Sequence, residues 1–375
     1  MESPNTAVHL TSVHSRSDIR IFVKECRSLA ANGYKVFLIV ADGLGDEITD
    51  GVDILDVGSS RGRLDRILRA SLRILRRAKN VNGDIYHIHD PELIPIGLWL
   101  QAIGKKVLFD AHEDVPKQLL SKPYLGPIRL RVLAVIFSVF ERFALARFSG
   151  IIAATPSIRE KFLSINLRTI GINNYPLLDE LNAGTDWCDK AAEICYVGGI
   201  GSIRGIREVI LAMASIRSKV RLNLVGAFWE SDVEEGVKAL PGWRHTNELG
   251  FMDRSAVRDV LGRSVAGLVT FHPLPNHIAA QPNKMFEYMS AGLPVIASHF
   301  PLWREIIEGN DCGVCVDPMD PEAIAVAIDE LTRDTKKAES LGTNGRRAVL
   351  EKYNWPVEEK KLLCFYSQII RNSFK

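Results

Sequence analysis

Short apolar runs alternate with amphipathic stretches along the whole chain. In the first half, the pattern predicts buried strands at residues 7–13, 36–40, 85–89, 106–112 and 150–155, and helices at 18–31, 64–78, 93–103 and 128–148. The alternation then restarts, with strands predicted at residues 194–197, 221–225, 267–271, 294–297 and 313–316 and helices between them. Strands that alternate with helices form parallel sheets covered on both faces, so two doubly wound α/β domains are predicted.

The domain boundary is predicted between Asn174 and Ala192, where turn-forming and charged residues interrupt the periodicity. This gives a first domain of residues 1–178 and a second of residues 190–355, followed by a final helix over residues 356–370. A length of 375 residues is sufficient for two domains with ordinary cores.

Composition narrows the class of protein. Hydrophobic residues at 46% and charged residues at 25% are typical of a soluble globular protein, and a net charge of +2 gives no argument for nucleic acid as a partner. The six cysteines have no spacing of a disulfide framework, and Cys312 and Cys315 are predicted to be strand residues rather than zinc ligands. No signal peptide and no membrane-spanning run is recognised, so a cytoplasmic protein is expected.

Residues 283–298 contain a short helix, a break at Gly292 and a buried strand. Glu287 is a carboxylate within an otherwise apolar and small segment. It is either a solvated helix carboxylate or an acceptor for the hydroxyls of a bound sugar or ribose, with the amides of the helix's first turn facing a phosphate.

The stretch FEYMSAGLPVIA at residues 286–297 resembles the C-terminal signature of the retaining nucleotide-sugar glycosyltransferases of family 4. The resemblance implies a GT-B architecture, with two Rossmann-like domains facing a central cleft and residues 356–375 packing back on the first domain. It also implies that Glu287 holds the donor ribose. The family pattern has another glutamate before this one, which commonly touches the donor sugar. Ala279 stands at that position here, so the resemblance does not identify the sugar.

A strand, a Gly-rich turn and a helix start are predicted at residues 196–205. Gly198 and Gly199 allow backbone amides to approach a pyrophosphate, and Arg204 can neutralise it. In the resembling family a lysine is usual at Arg204 and an arginine at Gly199, so one phosphate cation is missing and Lys284 is its candidate replacement. The other predicted donor-binding residues belong to the loop expected against the nucleotide base and to the start of the signature helix: Gly250, Phe251, Asn283 and Met285.

Charged residues crowd two connections that follow predicted strands of the first domain, where ligands of doubly wound sheets bind. The first connection contains His14, Arg16, Asp18 and Arg20, which are candidates for acceptor or phosphate contacts. The alternative is a capped helix start, with Asp18 in its first turn.

The second connection contains His112, Glu113 and Asp114. His112 matches the family's histidine near the donor sugar, and the two acids are candidates for orienting an acceptor hydroxyl; the alternative is a charged loop with a satisfied histidine. His87 and His89 lie on one side of a predicted strand, which suggests a metal, but core and rim histidines are favoured.

Between residues 61 and 79 there are eight Lys or Arg residues and a single Asp. Apolar residues recur there at helical spacing, at Leu64, Ile67, Leu68, Leu75 and Ala78. The segment is either an ordinary packing helix with a solvated face or an attachment to anionic lipid, where each basic residue contributes about 1 kcal/mol. We expect peripheral association with the inner face of the plasma membrane. The helix at 128–148 either contributes to this attachment or belongs to the core of the domain.

The expected function is a retaining glycosyltransferase that moves a sugar from a nucleoside diphosphate sugar, UDP-linked in preference to GDP-linked, to a glycan or polyprenyl-diphosphate-linked acceptor in surface polysaccharide or lipopolysaccharide biosynthesis. Arg204, Lys284 and the helix amides near Asn283 would stabilise the departing diphosphate, so no metal or other cofactor is expected. The alternatives are a nucleotide-sugar epimerase on a similar fold, or a catalytically silent scaffold, which the replacements at Ala279 and Gly199 keep open.

Overall fold

The computed structural model describes residues 4–116, 127–178, 180–181 and 183–371. The chain divides into two compact units, one of residues 1–174 with 357–375 and one of residues 175–356. The division falls at the start of the stretch in which a boundary is predicted. Residues 372–375, which belong to the segment expected to return to the first domain, lie outside the described residues.

The first unit contains a sheet of eight strands. They are β1 (Thr6–Leu10), β2 (Lys35–Val40), β3 (Glu47–Thr49), β4 (Val52–Asp56), β5 (Ile85–Ile88), β6 (Lys106–Ala111), β7 (Gly150–Ala153) and β8 (Thr169–Gly171). Their order is β3-β4-β2-β1-β5-β6-β7-β8, and every pairing is parallel except that of β3 with β4. Strand β1 therefore lies at the centre, where the direction of winding changes.

In the described residues of this unit, five helical segments cover the sheet before the chain enters the second unit. They are a π-helical turn Ile19–Cys26 that continues as Arg27–Ala31 (α1), the continuous segment Arg63–Asp65, Arg66–Ala70 and Ser71–Val81 (α2), Ile94–Ala102 (α3), Pro127–Leu145 (α4) and Pro156–Leu163 (α5). Side-chain caps fix two of their starts: Asp18 accepts hydrogen bonds from the amides of Arg20 and Ile21, and Thr155 accepts one from that of Ile158.

The second unit contains six parallel strands, in the order β11-β10-β9-β12-β13-β14. They are β9 (Glu193–Val197), β10 (Arg221–Val225), β11 (Thr246–Gly250), β12 (Ala266–Val269), β13 (Val295–Ser298) and β14 (Gly313–Val316). The helices are α6 (Ile206–Ser215), α7 (Ser231–Lys238), α8 (Arg254–Arg263), α9 (Pro275–Ile278), α10 (Asn283–Ser290), α11 (Pro301–Ile307), α12 (Pro321–Arg333) and α13 (Thr335–Glu351).

Helix α10 is the predicted signature helix, and its apolar face is buried as its spacing indicates. The Tyr288 hydroxyl accepts a hydrogen bond from the amide of Val197 at 2.8 Å, which ties α10 to β9. The predicted helix end is confirmed, because Gly292 is in the left-handed region at φ 71° and its amide donates to the Met289 carbonyl.

The last helix, α14 (Trp355–Arg371), adds its residues from Val357 onward to the first unit. Tyr366 is fully buried there, and its hydroxyl lies 3.2 Å from Nε2 of His9 and 2.8 Å from Nδ1 of His87. The first unit is therefore built from two separate chain segments.

The prediction of two doubly wound α/β domains is confirmed, but four strands were missed: β3, β4, β8 and β11. These strands lie at or next to the sheet edges and are short or rich in polar residues, so they lack the continuous apolar runs of central strands. No helix among the described residues has the length and apolar character needed to cross a bilayer.

Candidate active site

Two cations of the second unit lie over the same group of aromatic rings. The Lys284 ammonium is 3.7 Å from the ring centre of Tyr196 and 5.5 Å from that of Phe271. The Arg204 guanidinium is 4.9 Å from the ring centre of Phe271 and 4.4 Å from that of Trp229. Both cations therefore lie beside the Gly-rich turn that follows β9.

Neither cation has an acidic partner among the residues that the structure describes. Lys284 is only 6% exposed, and its Nζ, like the Nε of Arg204, is buried without a hydrogen-bond acceptor. Burial lowers the pKa of Lys284 well below its ordinary value, and the nearby Arg204 lowers it further; burial also lowers the pKa of Arg204. Desolvated cations without a counter-ion are an arrangement suited to an anionic ligand.

Trp229 explains why no side chain is present at Gly199. A Cβ atom at Gly199 would lie 2.3 Å from Cζ2 of Trp229, so the indole occupies the space that any larger residue needs. Gly198 leaves room for Lys284 instead, whose Cε would be 3.4 Å from a Cβ at that position. The second cation beside the turn is thus contributed by α10 and not by the turn itself.

Glu287 is held by an ion pair and is not a simply solvated carboxylate. Its Oε1 accepts from Nη1 of Arg254 at 2.7 Å, while Nε and Nη2 of the same arginine bind the carboxylate of Glu180 at 2.8 and 2.9 Å. The Glu287 side chain is 18% exposed. Arg254 therefore fixes the orientation of Glu287 and leaves its second oxygen as an acceptor.

The remaining predicted donor residues are placed differently from one another. Gly250 has φ 68° and its carbonyl accepts from the amide of Gly226, while Phe251 is 88% exposed. Asn283 is exposed at the start of α10. The Met285 side chain is fully buried in the core of the unit and its amide donates to the Pro282 carbonyl at 3.1 Å, which corrects the prediction that Met285 contacts the donor.

In the first unit, His14 and His112 meet at the carboxyl ends of β1, β5 and β6. Their ring centres are 5.2 Å apart. Nε2 of His112 is 2.8 Å from Oδ2 of Asp110, and Nε2 of His14 is 3.5 Å from Oδ1 of Asp90. The two buried aspartates were not predicted as site residues, although each directly follows or ends an apolar run that precedes a predicted loop.

Arg20 does not have the free guanidinium that a contact with acceptor or phosphate requires. It is 4% exposed and binds both oxygens of Asp110, at 2.8 and 2.7 Å, and the carbonyl of Ile172 at 3.0 Å. Burial acts to raise the pKa of Asp110, but Arg20 and then His112 hold that pKa well below its usual range. Arg20 is a buried structural cation.

The other polar residues of the first connection are also engaged within the unit. Arg16 binds Asp42 at 2.8 Å and Glu47 at 2.9 Å. Asp18 caps α1, as the alternative interpretation of this segment predicts. His14 remains partly exposed, and its hydrogen bond with Asp18 is the largest contribution that raises its pKa.

The two acids of the second connection differ: among the described residues, Asp114 has an ion-pair partner and Glu113 has none. Glu113 is exposed, whereas Oδ1 of Asp114 accepts from Nζ of Lys161 at 2.9 Å, and the same lysine lies 2.7 Å from Glu141. His112, 21% exposed, lies between them and the buried Asp110. His112 is therefore partly accessible to solvent and lies next to the ionised carboxylate of Asp110.

Helices α2 and α4 carry apolar side chains that do not pack on the core. On α2, Leu64, Ile67 and Leu68 have exposed fractions of 76%, 40% and 62%, so the first part of this helix does not pack as an ordinary core helix would, and burial begins only beyond them. On α4 the exposed apolar residues recur at helical spacing: Ile128, Val132, Val135, Ile136, Val139 and Phe143. Several exposed arginines flank both stripes.

Two family models match the chain, one for each unit. Residues 20–169 match the model described as Glycosyltransferase Family 4, and residues 179–348 match the model described as Glycosyl transferases group 1. Together the two matches extend from residue 20 to residue 348, except for residues 170–178. Each unit thus carries a domain type found in glycosyltransferases.

Curated relatives match parts of the chain. An uncharacterised glycosyltransferase of Methanocaldococcus jannaschii is 28% identical over 181 residues, which cover 48% of this chain and 45% of the relative. A capsular polysaccharide biosynthesis glycosyltransferase of Staphylococcus aureus, CapM, is 22% identical over 264 residues, which cover 64% of this chain and 66% of the relative. The chain therefore spans about half to two thirds of the relatives it matches.

Solved structures match almost the whole chain. The Anabaena protein HepE, in complex with UDP and glucose, superposes with a TM-score of 0.74 at 15% identity, covering 97% of this chain and all of that one. At this identity the likeness shows the fold alone. With the two parallel-sheet units described above, it establishes the predicted GT-B fold.

Proposed function

We propose that this chain, whose two units carry the two domains of a glycosyltransferase of the family 4 type, transfers a sugar from a nucleoside diphosphate sugar to a hydroxyl acceptor. The observation that carries the proposal is a pair of cations, the buried Lys284 and the half-buried Arg204, which lack an acidic partner in the described part of the chain. A donor diphosphate supplies the two negative charges that these groups require.

The proposed reaction breaks the bond between the sugar's anomeric carbon and the diphosphate oxygen. Negative charge develops on the leaving diphosphate, where Arg204, Lys284 and the first amides of α10 stabilise it. The acceptor oxygen forms the new bond on the same face of the sugar, which retains the anomeric configuration, and its proton passes to the departing diphosphate. Glu287, oriented by Arg254, binds the donor ribose.

The first unit is proposed to hold the acceptor, through the partly open site around His112 and Glu113. His14 completes this site, because its ring lies beside that of His112. The fixed protein cations carry the charge of the diphosphate in this scheme, so we propose that turnover does not require an added divalent ion. Stimulation of transfer by Mg²⁺ or Mn²⁺ well beyond the EDTA-treated rate would contradict this.

A UDP-linked donor and a surface polysaccharide product are the specific forms of the proposal. Support for the donor is the HepE complex with UDP and glucose, and support for the product is the name of the CapM relative. The acceptor is proposed to be a glycan or a polyprenyl-diphosphate-linked glycan.

A lipid-linked acceptor requires that the first unit reach a membrane. The exposed apolar stripes of α2 and α4, with their flanking arginines, have the composition of an interfacial amphipathic surface. We therefore propose peripheral attachment to anionic lipid on the inner face of the plasma membrane. Basic residues near such a surface contribute about 1 kcal/mol each.

Calorimetric titration with UDP, GDP, ADP and dTDP tests the donor site. We expect one nucleotide, UDP first, to bind to the wild type and to lose most of its affinity in Glu287→Ala. Glu305→Ala, which removes an exposed carboxylate from α11 of the same unit, serves as the control and should bind normally. Absence of binding by all four nucleotides would favour the silent scaffold, and release of an epimerised sugar without acceptor would favour the epimerase.

Vesicle flotation tests the membrane surface independently of the donor site. Vesicles with anionic phosphatidylglycerol should capture the wild type in low salt and release it in high salt. Charge reversal of three exposed arginines of the α2 region, Arg61, Arg63 and Arg76, should abolish capture. The matched reversal of three exposed arginines of the second unit, Arg207, Arg217 and Arg347, should not. Equal loss in both sets would show that net charge, and not this surface, determines binding.

A further inference from the structure

A cluster of three histidines and one glutamate lies in the centre of the first unit, beneath the proposed acceptor site. It consists of His9 on β1, His87 and His89 at β5, and Glu25 on α1, all of them buried. One nitrogen or oxygen from each residue lies within 4.8 Å of all the others. Nδ1 of His9 is 2.9 Å from Nε2 of His89, and Nδ1 of His87 is 3.6 Å from Oε2 of Glu25.

The topology of the sheet brings the four residues together. Strands β1 and β5 are neighbours, with His9 directly opposite His87 in the register. His89 follows two residues after His87 and points to the same face. Helix α1 crosses that face, and Glu25 projects from it into the cluster.

The cluster contains buried polar atoms that no protein group satisfies. Neither oxygen of Glu25, nor Nε2 of His87, has a hydrogen-bond partner in the described structure. Arg20 forms an ion pair with Glu25, with 3.3 Å between Nε and Oε1, but its hydrogen bonds go to Asp110 and the carbonyl of Ile172. One guanidinium is thus shared by two buried carboxylates, Glu25 and Asp110, and a second cation is needed to neutralise both.

Outer partners hold two of the histidines in the orientation of metal ligands. Asp110 lies 3.2 Å from Nδ1 of His89, which leaves Nε2 of that ring directed into the cluster. The Tyr366 hydroxyl lies 3.2 Å from Nε2 of His9, which leaves Nδ1 directed inward. A histidine whose far nitrogen is bound by a carboxylate or hydroxyl is the usual outer-shell arrangement of a metal site.

We propose that His9, Glu25, His87 and His89 bind one divalent transition-metal ion, Zn²⁺, which ties β1, β5 and α1 together. Three nitrogens and one oxygen are a ligand set that zinc accepts in tetrahedral geometry, and four protein ligands without solvent access characterise a structural site. Zinc–ligand bonds of about 2.0–2.1 Å separate ligand atoms by about 3.3 Å. The His9–His89 hydrogen bond is replaced by two metal bonds, and the other ligand atoms move inward.

This site is independent of the proposed transfer reaction, in which the diphosphate is neutralised by protein cations of the other unit. The test uses the full chain, purified without a histidine tag from medium supplemented with zinc, followed by gel filtration and elemental analysis. We expect one zinc per chain in the wild type. The Glu25→Gln, His89→Gln double variant should lose it, and His299→Gln, at an exposed histidine of the second unit, should keep it.

Cobalt substitution identifies the ligands. Protein unfolded with chelator and refolded with Co²⁺ should show the visible ligand-field bands of a tetrahedral site and no thiolate charge-transfer band, since the cluster contains no cysteine. Such a band would show that the metal has a cysteine ligand and would overturn the proposal. So would a folded wild type, verified by circular dichroism, that contains less than a tenth of an equivalent of zinc and binds no Co²⁺. Both decisive readouts are made on the wild type, so a ligand variant that fails to fold does not affect the test.

Discussion

Replacing Lys284 by methionine should make the ligand-free protein more stable and its donor site weaker. Methionine has nearly the length and shape of lysine without the ammonium group, so it fills the same space over the Tyr196 ring. The substitution removes a buried Nζ that has no hydrogen-bond acceptor in the described structure. Stability and binding are therefore expected to change in opposite directions.

The magnitude follows from three contributions to the free energy of unfolding. Removing a buried, unsatisfied polar group gains about 1–3 kcal/mol. Losing the cation–π contact with Tyr196 costs about 0.5–2 kcal/mol, and the thioether recovers about 0.3–1.5 kcal/mol against the same ring. The expected net effect is a stabilisation of about 1–2 kcal/mol.

Binding should respond more strongly than stability. A charge-assisted hydrogen bond to a phosphate oxygen contributes about 1.5–3 kcal/mol, so UDP affinity should fall by about 10- to 150-fold. Calorimetry measures the melting transition and UDP binding on the same samples. Lys219→Met, the same chemical change at an exposed position of the second unit, should alter neither quantity.

The pH dependence gives a second readout of the same group. Burial lowers the pKa of Lys284 in the folded protein. At pH values between this lowered pKa and the unfolded value of about 10.4, Lys284 holds its proton in the unfolded chain and has released it in the folded one. Stability should therefore rise with pH through that window, by up to about 1.4 kcal/mol per pH unit, and UDP affinity should fall. Lys284→Met should lack both slopes. A destabilised variant with wild-type UDP affinity would refute the assignment of Lys284 to an anion site.

Three further substitutions test other parts of the site. Glu287→Gln should weaken UDP binding at least tenfold with less than about 1 kcal/mol lost in thermal unfolding, since its ion pair is partly exposed; unchanged affinity would exclude the ribose role. Gly199→Ala should cost about 1–3 kcal/mol through its clash with Trp229, and a double-mutant cycle with Trp229→Ala should recover most of that cost; additive effects would disprove the clash. Arg20→Met should destabilise the first unit by about 3–5 kcal/mol, because it removes the guanidinium that binds both oxygens of the buried Asp110 carboxylate and leaves that carboxylate with histidine neighbours alone; a mild effect together with lost acceptor binding would restore the original prediction for Arg20.

The architecture was accessible from the sequence because central strands are continuous apolar runs and the connecting helices are amphipathic. Edge strands were not, since β3 and β11 carry exposed polar residues on a pattern that also fits a loop. The helix at Asn283–Ser290 was predicted closely because a glycine ends it and its apolar spacing is regular. Local rules therefore determine most of the fold.

The candidate site was less accessible, because partners distant in sequence decide what each polar residue does. Arg20 and Asp110 are 90 residues apart, and no spacing rule joins them. Trp229, which occupies the space beside Gly199, is 30 residues beyond that turn, in a segment without a recognisable motif. The replacement at Gly199 becomes understandable only when the indole is seen in place.

The return of α14 to the first unit sets an order for folding during synthesis. Tyr366, buried against His9 and His87, leaves the ribosome after the whole of residues 175–356. The second unit, a single continuous segment, can therefore complete its core while the first is still missing a structural element. The unit translated first is therefore completed last. Until α14 is in place, His9 and His87 of the histidine cluster lack their contacts with Tyr366.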